Sequence, residues 1–393
     1  MKPTLRDLLL RAKTPFDEYR ISQRTQIVEI NGSYDTSLLR DTIKTTDTAS
    51  VSSVDSEFKL ELSATGDKAT IATASRGRYI PGYAAEAGLG TRLPEYPDGD
   101  GVARWGYFDL EPETQDINDG AFFGADADGL FVSIWRNGTE QVKVDQGDWN
   151  INPNFEIDPS RGYIYQILFV YYGYGPIWFR VIDPEEECVV DIHKYVDEGA
   201  TTLGNSNLQV AGQADTGTTG DPFDLYVSGR QFAVYGTPIV KIRKVAHLVE
   251  DVNIPTDGYV PVMSFRRKDN KRAVPIQIQA FECLTDNDIV VQWRLDSNPS
   301  LDEGTIEWIT PSNHDEDEVS IEVNEDADNI DMSTGLKVDE DIVLGGGGPQ
   351  ARGFAEDELV SDVPDEYIVT LCAKSIDGSA ATATFIGKMV EER

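Results

Sequence analysis

Residues 164–182 read IYQILFVYYGYGPIWFRVI, a run about as long and apolar as a bilayer-spanning helix. Three interruptions argue against a span. Gln166 and Arg180 would sit in hydrocarbon, and Gly173-Tyr174-Gly175-Pro176 would break a helix near its middle. The flanking residues are Ile, Val, Tyr, Phe and Trp, which fit a pleated surface better than a helix. Two strands joined by a turn at Gly173–Pro176 are expected, and no membrane insertion. Tyr163 to Tyr172 is apolar on both parities, so that strand is expected to be covered on both faces, whereas Ile177 to Ile182 exposes at least Arg180.

The chain has 393 residues, enough for two or three domains. Its 69 acidic residues against 34 Lys and Arg leave a net charge of −35, which repels a nucleic-acid backbone and keeps a protein solvated in strong salt. Lysine is scarce, with 14 against 20 arginines, and the acidity runs along the whole chain. This pattern reads as halophilic adaptation. A disordered acidic chain does not fit a sequence that is 40% hydrophobic and well patterned. Cys188, Cys283 and Cys372 lie far apart, with no metal-ligand spacing, so neither a disulfide framework nor a zinc site is expected, and Cys283 and Cys372, both in strands, are expected to be buried free thiols.

Working outward from the opening stretch, an all-β chain emerges in four parts. Residues 1–45 read as an N-terminal anchoring arm with a short helix capped by Thr4, its stripe formed by Leu5, Leu8 and Leu9. Residues 46–240 carry many short strands separated by turn signals, which implies a jelly-roll-like antiparallel sandwich. In it Phe58, Leu60 and Leu62 share one face, Arg76 to Gly101 reads as a Gly/Pro-rich loop or irregular edge, and DLYVSG and RQFAVYG read as a strand pair. Residues 241–270 read as a connector with a boundary near Pro255. Residues 271–393 show seven strand candidates, which suggests an immunoglobulin-like sandwich. From Leu301 onward 24 acidic and 5 basic residues mark its exposed end.

No catalytic constellation stands out. His193, His247 and His314 have no partner pattern, and among so many carboxylates a glycosidase pair cannot be nominated. Asp126 and Asp128 in GADADGLF resemble a fragment of a calcium loop, but the further ligands of an EF-hand are missing and a β-turn is the expectation. No cofactor is expected; if a structural cation sits between hairpins, these two residues are its candidate ligands. Gly345 to Gly348 lacks the Lys-Ser/Thr of a phosphate loop, and Asn137-Gly138-Thr139 reads as a hairpin tip rather than a glycosylation site. Trp105, Trp135 and Trp149 are the candidates for contact with a glycan or a partner, the alternative being core filling.

The succession SRGRYIPG, AGLGTRLP, ARWGYFD, DGAFFGADADGLFVSIWRNGTE, WN, IYQILFVYYGYGPIWFRVI and DLYVSGRQFAV resembles a family of β-sandwich structural proteins of tailed phages and related viruses. The resemblance covers roughly Ile21 to Gly236, and the segment after WN departs from the family's Gly-rich loop. It implies a virion component without catalytic residues. The acid-rich composition extends the expectation to a haloarchaeal tailed virus. The protein would be an oligomeric capsid turret or decoration, on the virion surface after assembly in the host cytoplasm, with other virion proteins, its own copies and host surface glycans as partners. A tail fibre or baseplate part of the same virion is the alternative. A glycan-degrading enzyme on this scaffold and a cellular carbohydrate-binding module are the competitors from other classes.

Overall fold

The computed structural model describes residues 24–37, 39–111, 114–170, 172–197, 199–237, 242–271, 274–296, 307–312, 314–325, 335–346, 350–353, 363–364 and 367–392. Among them there is no α-helix, only strands and three single-turn 3-10 helices. No helix is long and apolar enough to cross a membrane. The chain divides into two compact units, residues 1–239 and 240–393.

The first unit contains β1 (Arg24–Ile30), β2 (Asp41–Thr45), β3 (Ser50–Val54), β4 (Glu57–Glu61), β5 (Lys68–Thr73), β6 (Ala85–Arg92), β7 (Val102–Leu110), β8 (Ile117–Asp126), β9 (Gly129–Arg136), β10 (Thr139–Asp145), β11 (Tyr163–Phe169), β12 (Ile177–Asp183), β13 (Cys188–Tyr195), β14 (Gln209–Asp215) and β15 (Asp224–Tyr235). One sheet runs β13-β12-β11-β6-β15-β4-β3, with β1 also on β15, and the other runs β10-β9-β8-β7-β14-β5-β2. At its heart β4-β15-β6-β11 face β5-β14-β7-β8. Numbered along the chain, these eight strands lie in the orders 1-8-3-6 and 2-7-4-5, as when one long hairpin ladder is rolled up. The hairpins β9–β10 and β12–β13 then widen each sheet on one side.

The opening stretch is the hairpin of β11 and β12, in register from Ile164↔Ile182 to Phe169↔Ile177. Its inner face packs against the second sheet. Tyr165 meets Trp105 edge-on at 5.2 Å, Phe123 meets Phe179 at 5.3 Å, and Tyr107 stacks on Phe169 at 5.4 Å. Such pairs contribute about 0.5–1.5 kcal/mol each beyond their buried area. The outer face is covered differently. Leu168 and Val170 pack with Ala84, Trp178 and Tyr235. Gln166 is buried and donates to Glu86 Oε1, which also accepts from Gln231 and pairs with Arg24 at 2.9 Å. Arg180, expected to be exposed, is buried on an ion pair of 2.7 Å with Asp191. The polar interruptions of the stretch thus form a buried polar layer on the outside of the sheet.

Several assignments change here. Residues 24–45 are not an arm, since β1 pairs with β15 and β2 with β5, burying Val28 and Ile30. The short helix falls in residues 1–23, outside the described residues. The Gly/Pro-rich stretch contains β6, a central strand whose Gly88 and Gly90 lie against Gln231 and Ser228 of β15. The strand pair near Gly236 is one strand, β15, with a bulge between Val227 and Arg230.

The second unit contains β16 (Ile242–Ile254), β17 (Val260–Arg267), β18 (Ile276–Thr285), β19 (Ile289–Asp296), β20 (Ile321–Asn324), β21 (Leu336–Val343), β22 (Gln350–Gly353), β23 (Ile368–Ser375) and β24 (Ala381–Glu392). Residues 241–270 therefore are no connector, because β16 and β17 are long strands of this unit and Pro255 lies between them. The sheets run β16-β24-β18-β22 and β20-β17-β23-β19-β21. This corrects the immunoglobulin-like expectation. An immunoglobulin sandwich sets strands A, B, E and D against C, F and G, whereas here, with β20 set aside as an added edge, the orders are again 1-8-3-6 and 2-7-4-5. Its buried residues include Ile278, Phe281, Phe385 and Met389 on one sheet and Met263, Phe265, Trp293 and Leu371 on the other. Cys283 and Cys372 are buried free thiols, both pushed up to about 12 by burial, and Cys188 is a half-buried free thiol.

Candidate functional site

The outer face of the seven-stranded sheet carries a groove of about 280 Å³ across β7, β8, β9 and β10. Strand alternation builds it. Trp105, Phe123, Val132 and Ile134 point into the core, so Arg104, Phe122, Phe131 and Trp135 lie on the opposite face. Gly120 and Gly124 flank Phe122 on that face. A Cβ at Gly124 would stand 2.3 Å from the Phe131 ring, and one at Gly120 would stand 2.4 Å from Phe108 Cβ. The glycines let the aromatic side chains lie down on the sheet. Phe108, Phe122 and Phe131 are buried there, with half-exposed Trp135 packed against them.

Polar groups line the same groove. Lys143 Nζ pairs with Asp126 Oδ2 at 2.6 Å and sits 4.6 Å from the centre of the Phe131 ring. Burial opposes the Lys143 charge, but hydrogen bonding and the Asp126, Asp145 and Asp128 carboxylates lift its pKa above the ordinary value. Glu140 accepts from Ser133 Oγ at 2.7 Å. Arg104 is half-buried and donates to Gln213 Oε1 at 2.9 Å. No carboxylate among the described residues reaches it at ion-pair distance; burial pulls its pKa down while Asp215, Glu140, Asp116 and Asp126 act from farther away to raise it. One rim is rigid. The Asp100 carboxylate accepts from the amides and hydroxyls of Thr218 and Thr219, which hold its pKa far below the usual carboxylate range.

The structure brings Asp126, Asp128 and Trp135 to this groove and leaves the other tryptophans elsewhere. Asp126 and Asp128 flank the β8–β9 turn. Asp126 Oδ1 accepts the Asp128 amide, as in the expected turn, and its Oδ2 holds Lys143, so an ammonium stands where the alternative reading would have put a structural cation. No cluster of three acidic, His or Cys side chains suited to a metal occurs among the described residues. Trp105 and Trp149 are core residues, 0% and 1% exposed, which removes them as contact residues. Trp149 Nε1 donates to Val144 O, and Asn150 clamps both backbone groups of Lys194, so the WN pair is architectural. Asn137 and Gly138 both have positive φ at the β9–β10 turn, as a two-residue hairpin tip requires. Arg104, Glu140 and Lys143 escaped sequence reading. Their signal was the spacing of Gly120, Phe122 and Gly124, a period of two that places an aromatic between two glycines on the outer face.

The second unit holds a Ser312–His247–Glu325 line that sequence order did not suggest. His247 Nε2 lies 2.6 Å from Glu325 Oε1, and Ser312 Oγ lies 3.1 Å from Nδ1. The Ser312 amide also donates to Nδ1 at 3.1 Å. The single lone pair of Nδ1 is therefore already shared with a backbone donor, which disfavours it as a base for the hydroxyl. The arrangement ties β16 to the segments on either side of β20, Ser312 before it and Glu325 just after it.

No family model and no curated protein matches this sequence. Solved structures with similar folds include a legume lectin-like domain from Entamoeba histolytica, with 11% identity, TM-score 0.33, and coverage of 51% of this chain and 91% of that one. Another is a protein of unknown function from Shewanella oneidensis, with 10% identity, TM-score 0.39, and coverage of 61% and 98%. Arcelin-5 from Phaseolus vulgaris matches at 9% identity and TM-score 0.34, covering 55% and 99%. No residue role is transferred across these likenesses.

Proposed function

We propose that this chain is a non-enzymatic structural protein of a tailed virus of a haloarchaeon, displayed on the particle surface as an oligomeric turret or decoration that contacts host glycans. Both units read as jelly rolls in this proposal, because each has the 1-8-3-6 and 2-7-4-5 strand orders. One observation carries it. The motifs that resemble virion structural proteins all fall in a single unit, most of them on strands spread over both of its sheets. AGLGTR is in β6, ARWGYFD is in β7, DGAFFGADADGLFVSIWR makes β8 and β9, the opening stretch makes β11 and β12, and DLYVSGRQFAV is in β15. SRGR supplies Arg76, buried against Asp109 at 2.8 Å, and Gly77, where a Cβ would strike the Phe232 ring. The resemblance therefore involves five of the eight strands at the first unit's heart, β6, β7, β8, β11 and β15. The net charge of −35 supports a particle working in strong salt. Mass spectrometry of purified virions tests the proposal. The polypeptide is expected among their components, and its absence from them would refute the assignment.

A further inference from the structure

We infer that the groove on the seven-stranded sheet binds one neutral sugar ring, a terminal hexose unit of a larger glycan. The inference rests on the surface-protein reading and goes further by naming the site and the ligand class. A ring hydroxyl both donates and accepts, so its site needs both kinds of group close together. Here Arg104 and Lys143 donate, while Glu140 and Asp128 accept, all on one groove. The guanidinium is the most telling member. It has one protein hydrogen bond, to Gln213, and no ion-pair partner among the described residues. Its other N–H groups are available to a ligand. Since none of them is sealed from solvent, a ring hydroxyl can take the place of the water that otherwise accepts from them.

Charge selects a neutral ligand over an anionic one. Asp126, Asp128 and Glu140 stand around the groove beside Arg104 and Lys143, with Asp126 already neutralising Lys143. A carboxylate or phosphate entering would meet Arg104 but also four acidic side chains, Asp100 on the rim included. A neutral ring loses nothing to that repulsion and gives Glu140 a donor. The half-exposed Trp135 offers an apolar edge for the C–H face of the ring. A groove of about 280 Å³ has room for one such ring and not for a long oligosaccharide. The glycines at 120 and 124 and the pinned Asp100 loop hold the floor and rim in place without the ligand.

Ligand-observed saturation-transfer NMR on the full chain in molar salt tests this with methyl glycosides of glucose, galactose and mannose and, separately, with glucuronic acid. At least one neutral glycoside is expected to show transfer. Binding should fall at least tenfold in Arg104→Met and in Trp135→Ala, while Trp178→Ala on the other sheet leaves it unchanged. Should Arg104→Met fail to fold by circular dichroism, Trp135→Ala and Glu140→Gln carry the test. No transfer from any neutral glycoside, transfer from glucuronic acid alone, or equal binding by these groove variants and the wild type overturns the inference. Any of these results leaves the virion assignment standing, since that depends on the particle's composition.

Discussion

The two units share one strand order and close their sandwiches with different chemistry. In the first, Arg230 on a central strand of one sheet pairs with Asp41 at the start of the edge strand β2 of the other, and both side chains are 0% exposed. In the second, His247 on the edge strand β16 pairs with Glu325 just beyond β20, and Glu325 is 47% exposed. Burial pulls the Arg230 pKa down while Asp41 holds it up, and no acceptor reaches its Nε or Nη1. The Phe58 ring lies 5.0 Å from the guanidinium. A fully desolvated pair is expensive to break even where it adds little net stability, whereas a half-solvated one is cheap to lose. The comparison teaches that wiring does not dictate how an edge is secured. It also separates roles, because among the described residues only the first unit is widened by the hairpins β9–β10 and β12–β13, which with β1, β2 and β3 bring its sheets to eight and seven strands, and one of these hairpins supplies a wall of the groove.

Breaking the buried tie should have the largest effect. Asp41→Ala leaves Arg230 charged and alone in the core, and a loss of about 3–5 kcal/mol in the unfolding free energy of the first unit is expected by denaturant titration. The paired change Asp41→Leu with Arg230→Met should recover most of it. A loss below about 1 kcal/mol for the single variant would mean that the pair is solvated. Next come the glycines that allow close packing. At Gly120 a Cβ meets Phe108 Cβ and, at 3.1 Å, Phe108 Cα, atoms with no freedom to retreat, while at Gly387 of the second unit it meets Met263 Sδ and the end of the Phe265 ring. Gly120→Ala is therefore expected to destabilise by about 2–3 kcal/mol and Gly387→Ala by about 1–2 kcal/mol. Equal or reversed losses would show that the groove floor is looser than the core of the second unit.

The smallest effect concerns protons. Burial lowers the His193 pKa, and it lowers that of His247 against the opposing pull of Glu325. A histidine held below its unfolded value of about 6.5 binds fewer protons when folded. Its contribution to stability is complete above that value and is lost as pH falls from there towards the folded pKa. Both C2-proton resonances should titrate below 6.5. Glu325→Gln should lower the His247 midpoint further without moving His193, and should cost no more than about 1 kcal/mol at pH 7. A raised midpoint for His247 would mean that the carboxylate dominates, reversing the predicted acid sensitivity of the second unit.

Most of the strands were legible because alternation and turn chemistry agree, as for Phe58 and Leu60 or for the Asn137-Gly138 tip. β6 was not, because AEAGLGTR carries the glycines of a loop and becomes a strand only through neighbours that use the missing side chains. The order of the second unit was hidden for a different reason. Strand number and spacing are alike in an immunoglobulin sandwich and a rolled ladder, and only long-range pairing such as β16 with β24 separates them. At the candidate site Trp135, Asp126 and Asp128 were visible as residue types, but Arg104 was one arginine among 20. Its isolation from carboxylates depends on Asp126 being held by Lys143 and on Glu140 being held by Ser133, contacts between strands that no local pattern records.

The central claim, that these two rolled sandwiches form a surface part of a virus particle, is tested most directly by electron microscopy of intact virions incubated with gold-labelled antibody raised against the full chain. Gold at regular positions on the outside of the particle is the predicted result. Label confined to host debris, with the particles bare, would contradict it.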